Sequence, residues 1–167
     1  FMYYSNQYMH RDLAFLLPIV ILVVMAVLYV SFRSLRGMAL PLIVVLIAVI
    51  WTVGLMALCG AKLTMASTIL PVLLVAVGSA YGIHVVNDYF ERAVQSEGSR
   101  EEGVAQVVEE MANPVFTAAL TTAAGFLTLL SAFLQPMREF GLFTAAGVMF
   151  SFVLSLTLIP AVLALTR

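Results

Sequence analysis

The chain has 167 residues, 63% of them hydrophobic and 10% charged, with a formal net charge of −1. Soluble domains run about 45–50% apolar and about 25% charged, so the composition excludes a solvated globular domain and points into a bilayer. The charge balance gives no reason to expect a nucleic-acid partner, and Cys59, alone in an apolar run, excludes an intrachain disulfide.

Residues 1–12, FMYYSNQYMHRD, are aromatic and amphipathic. Tyr3, Tyr4 and Tyr8 suit a headgroup belt, with ring in the apolar zone and hydroxyl in water. His10 reads as an interfacial histidine without a special role. The chain opens on Phe1 with no basic leader, and the expectation is a piece of something longer.

Five apolar runs follow, at about 13–32, 38–61, 63–87, 114–134 and 142–165. Each is long enough to cross a hydrocarbon layer about 30 Å thick, which takes about 20 helical residues. The expected fold is therefore all-α, a polytopic bundle of five membrane-spanning helices. Pro18 and Pro41 fall near the starts of the first two spans, where a missing N–H costs little. Trp51, mid-run, reads as a packing residue. Pro71 is placed to kink the third span.

Most of the charge lies in residues 88–113. Ser99 and Glu102 form an S-x-x-E capping box, and Val104, Val107, Val108 and Met111 recur at helical spacing. This predicts a separate amphipathic helix over about 99–112 on the cytoplasmic side, with Pro114 opening the fourth span. In the fourth span Thr117, Thr121, Ala124 and Thr128 share one side, with Gly125 beside them. Such a small, weakly polar stripe lets helices pack closely in lipid. In the fifth, Gly141, Thr144, Gly147, Ser151 and Ser155 descend one face.

Candidate chemistry concentrates in residues 78–91, GSAYGIHVVNDYFE. Tyr81, His84 and Asp88 share one helical face; Ala80, His84 and Asn87 share an overlapping one. Gly78, Ser79 and Gly82 keep the neighbouring surface small enough for another helix to approach. Ionisable groups at membrane depth are costly and usually face a protein interior or a wet cavity, so the segment reads as the lining of a transport or proton path. A histidine near the water interface that merely caps a helix end stays open as the alternative. No CxxC, HExxH, metal-spaced carboxylate cluster or Gly-rich phosphate loop is present. No metal, ATP or other cofactor is expected, and no nucleophile–base pair marks an enzyme.

The basic residues suggest an orientation. Arg33, Arg36, Arg92, Arg100 and Arg167 fall on one side of the alternating spans, and Arg11, Lys62 and Arg138 on the other. The positive-inside bias makes the first side cytoplasmic, with the amino terminus outside and the carboxyl terminus inside.

The stretches GSAYGIHVVNDYFE, SREEGVAQVVEEMANPVFTAALTTAAGFLTLL and REFGLFTAAGVMFSFVLSLTLIPAVLAL, in this order, resemble the resistance–nodulation–division (RND) superfamily. They are most similar to its MMPL-like exporters and the related sterol-sensing domains, and the resemblance covers nearly the whole chain. It implies five helices (residues 13–167) of one of two homologous halves. Residues 1–12 would then be a strand or linker leaving a large external domain. It implies a bacterial or archaeal inner membrane, lipid neighbours, a second half as partner, and a proton gradient driving export of hydrophobic or lipid-like substrates. In MMPL-like members an Asp-Tyr pair on the third of these helices relays protons. Here the tyrosine position is Tyr81, but the aspartate position is Ala80, which cannot bind a proton. The sequence reading is that His84, a residue type that titrates near neutrality, replaces the missing acid. Tyr81 and Asn87 would complete its hydrogen bonds, with Thr121 and Thr122 of the next span supporting them. A sterol-sensing module without net transport and a Sec-type accessory translocase subunit are the alternatives. The YGIHVVN run argues against the latter.

Overall fold

A computed structural model describes residues 2–32, 35–61, 64–95 and 100–165. They form five helices: α1 Met2–Phe32, α2 Leu35–Leu58, α3 Met65–Gln95, α4 Arg100–Leu127 and α5 Gln135–Leu165. A 3₁₀ turn, Thr128–Ser131, extends α4. The fold is an all-α membrane bundle. Among the described residues, four helices hold apolar stretches of spanning length: Ala39–Leu58, Ala66–Asp88, Val108–Ser131 and Gln135–Leu163. α1 contributes a shorter one, Ala14–Val30.

Local chemistry explains the turn between α2 and α3. Gly60 sits at φ +67°, Gly60 N–H donates to Ala57 O at 3.1 Å, and Ala61 N–H donates to Met56 O at 3.0 Å. This is a Schellman ending, which needs a residue free to adopt the left-handed region. α3 then starts on a reciprocal box. Thr64 N–H donates to Ser67 Oγ at 2.6 Å, and Ser67 N–H donates to Thr64 Oγ1 at 3.2 Å. At the start of α5, Arg138 Nε donates to Ala132 O at 2.6 Å and braces the preceding turn.

Four boundaries differ from the sequence expectation, one of them the start of α5, which begins at Gln135 and not at about residue 142. Residues 2–12 continue α1 as helix, where a strand or linker was expected, so Pro18 lies mid-helix. α3 runs through Pro71 and on to Gln95. The amphipathic stretch and the fourth span are one helix, with Pro114 inside α4. The reason is a continuous stripe: Met111, Val115, Ala119 and Ala123, four residues apart, all pack against the same core cluster. A break at Pro114 would divide that stripe. Membrane helices tolerate the proline's lost hydrogen bond where neighbours compensate. The Ser99 capping position lies outside the described residues.

The core sits around α5, which packs against α2, α3 and α4. Leu28, Val44, Val45, Leu70, Leu74, Val85, Val86, Val148 and Ile159 are fully buried. Close approach between helices depends on glycine. A Cβ at Gly82 would meet Pro41 Cβ at 2.7 Å, and one at Gly147 would meet Leu74 Cδ1 at 2.5 Å. Gly125, by contrast, has open space around it, and Thr117, Thr121 and Thr128 beside it are exposed. That stripe is not covered by any of the described residues. α4 is the least covered span, with 17% of its apolar stretch buried against 50% for α3. Trp51 is half exposed and meets Phe150 edge-on at 5.7 Å.

Candidate functional site

A cleft of about 590 Å³ opens between α3 and α4. Val77, Ala80, Tyr81 and His84 line it from α3; Met111, Pro114, Val115, Ala118 and Thr122 line it from α4. Both sets follow helical spacing, because neighbours three and four apart share a face. The volume falls in the range of about 300–1,000 Å³ usual for small-molecule sites. The lining is mainly apolar, with one imidazole, one phenol and one alcohol as its polar groups.

Tyr81 is 4% exposed, and its ring packs in the cluster containing Val115, Ala119, Phe143 and Val148. Its hydroxyl is buried with no hydrogen-bond partner among the described residues. An unmade hydrogen bond at a buried hydroxyl costs about 1–3 kcal/mol. His84 lies one turn further along α3, on the cleft wall, and is exposed. Ala80, at the position where the resemblance expects a carboxylate, lines the cleft with a methyl group. Thr122 is half-buried there and donates its hydroxyl to Ala118 O at 2.8 Å, so its oxygen remains available as an acceptor.

The other sequence candidates lie elsewhere. Ser79 is buried and donates to Ala76 O at 3.1 Å. Asn87 is exposed and does not line the cleft. Thr121, grouped with Thr122 from sequence, is exposed on another side of α4 and donates to Thr117 O at 2.9 Å. Adjacent residues on a helix point about 100° apart, so only one of the two threonines can face α3. Asp88 is half-buried and engaged in an interaction of its own. No group of three His, Cys, Asp or Glu side chains comes together among the described residues.

Met111 and Pro114 were not anticipated in the cleft. The sequence reading ended the amphipathic helix between them and laid it against the membrane or the other helices. The signal that identifies them is the four-residue step from Met111 through Val115 to Ala119, read across the proline.

The MMPL family model matches residues 4–166, nearly the whole chain. The chain belongs to the MMPL family. A membrane protein of Methanocaldococcus jannaschii is 32% identical over 158 residues, covering 95% of this chain and 40% of that protein. The hopanoid transporter HpnN of Rhodopseudomonas palustris is 30% identical over 148 residues, 87% of this chain. HpnN of Burkholderia multivorans is 26% identical over 147 residues, 88% of this chain. The chain spans 17% of the length of each HpnN protein. It is thus an integral membrane segment of the MMPL type, corresponding to part of each of these relatives.

Proposed function

We propose that this chain is the membrane domain of a proton-driven, RND-type exporter of hydrophobic or lipid-like substrates, with its proton or substrate path at the α3/α4 cleft. The observation that carries the reading is that His84 and Tyr81, whose buried hydroxyl has no partner among the described residues, line one mainly apolar cleft. In such a site a titratable imidazole can take up and release a proton beside a phenol that donates or accepts a hydrogen bond. His84 stands in for the carboxylate missing at Ala80, Tyr81 and Thr122 orient the transferred proton, and exposed Asn87 and Thr121 serve groups beyond this chain. The hopanoid transporters among the relatives support a lipid-like substrate.

The proton gradient is the energy source, no cofactor or enzymatic step is involved, and a second homologous half and an external domain complete the transporter. The uncovered outer face of α4 supports the second half as a partner. The positive-inside pattern supports an orientation with the carboxyl terminus in the cytoplasm.

The test is lipid export by the full-length protein in sealed vesicles under an imposed proton gradient. His84→Ala should abolish the gradient-dependent component. Undiminished coupled export by that variant removes the proposal. A lipid-sensing module is the second reading, favoured by Ala80 and by the apolar lining of the cleft. Saturable lipid binding without flux under any gradient would select it.

A further inference from the structure

Among the described residues, the buried hydroxyls of Thr52, Ser67, Thr68 and Ser79 each donate to a backbone carbonyl three or four residues earlier. Those of Thr144, Ser151 and Ser155 do not. All three residues are 0% exposed, and all three stand on α5. Steps of seven and four residues keep them on one helical face. Together they extend about 16 Å along the axis, roughly half the hydrocarbon thickness.

The line meets α3 and α2. A Cβ on Gly78 would lie 2.6 Å from Ser151 Oγ and 2.6 Å from Val45 Cγ2. Within the same line, Gly147 faces Thr52 Oγ1 and Leu74. Gly78 does not line the α3/α4 cleft, so the hydroxyl line touches α3 on a different face from His84. Valine or alanine would pack along this line without leaving a polar atom unpaired. Three successive unpaired hydroxyls on one line therefore require a partner that the closed bundle does not supply. Serines and threonines at membrane helix interfaces ordinarily hydrogen-bond across to the facing helix, and these three do not.

We propose that Thr144, Ser151 and Ser155 form a wettable seam between α5 and α3. Water enters when the two helices separate, and the three hydroxyls then receive hydrogen bonds along the length of the seam. Gly78 suits this role. With no side chain on α3 at that level, a small separation brings water against both Ser151 Oγ and the α3 backbone. The seam depends on the transport reading only for the step that opens it.

Thiol accessibility tests the seam in the full-length protein in sealed vesicles. Thr144→Cys, Ser151→Cys and Ser155→Cys are made singly in a Cys59→Ser background. A small water-soluble methanethiosulfonate is the probe, applied with and without a proton gradient. The unsubstituted protein, whose Cys59 is exposed, sets the fully accessible rate. Ala145→Cys, a buried position on another face of α5, sets the dry background. An open state populated at about 0.1–10% predicts labelling at that fraction of the Cys59 rate at the seam positions, and background labelling at Ala145→Cys. Background labelling at all three seam positions, in both conditions, overturns the proposal; the hydroxyls would then be dry and turned onto their own helix.

The combined variant Thr144→Val, Ser151→Ala, Ser155→Ala gives a second readout. A wettable seam predicts loss of gradient-driven proton uptake with thermal stability kept. Unchanged uptake refutes the seam. Seam labelling that ignores the gradient supports wetting and counts against the transport reading instead.

Discussion

Replacing Gly82 by alanine adds one methyl group where α3 meets α2. That methyl would lie 2.7 Å from Pro41 Cβ, 3.0 Å from Pro41 Cα and 3.3 Å from Ile159 Cδ1. The isoleucine tip can rotate away, but the proline ring and backbone cannot, so the helices themselves must separate. Overpacking of this kind costs about 1–3 kcal/mol, partly offset by about 1 kcal/mol from the better helix propensity of alanine. Gly125→Ala is the matched control, because nothing lies within 4 Å of its added Cβ. It should gain up to about 1 kcal/mol from the same propensity term. The two variants should therefore differ by about 1–3 kcal/mol in stability, a factor of about ten in the folded population for each 1.4 kcal/mol. Thermal unfolding of both proteins in the same detergent, followed by loss of the monodisperse peak, measures the difference. Equal midpoints for the two variants would show that α2 and α3 do not meet at Gly82 and would refute the close contact of Gly82 with Pro41.

Two further outcomes follow from individual side chains. Tyr81→Phe removes a buried hydroxyl that has no partner among the described residues. Stability should hold or rise by about 1 kcal/mol, while gradient-dependent export falls; a drop in stability with export intact would place the hydroxyl's role in folding. Thr64→Ala removes the oxygen that accepts from Ser67 N–H. The loss should be about 0.5–2 kcal/mol, read by thermal unfolding and by faster amide exchange confined to the first turn of α3.

Several features of the bundle were legible in the residues. Uncharged runs must pair their backbone polar groups when they cross lipid, and at about 20 residues each run has the length of a spanning helix and not of a barrel strand. That Tyr81 and His84 share a helical face was also legible from their spacing in an apolar run, and both line the α3/α4 cleft. Prolines misled the reading of boundaries. A missing N–H looks like a stop in one dimension, but α4 carries Pro114 because the Met111-to-Ala123 stripe holds it on both sides.

The sequence by itself determined that this chain lives in a membrane as a set of helices, since hydropathy and periodicity depend only on the order of side chains. Only the tertiary structure decided which faces meet. Gly78, Gly82 and Gly147 fell at contacts while Gly125 did not, and Thr122 turned into the cleft while Thr121 turned out. All these residues suit close packing equally well. What separates them is the rotation of each helix about its axis, and that is set by the joint fit of α2, α3, α4 and α5, which no single helix encodes.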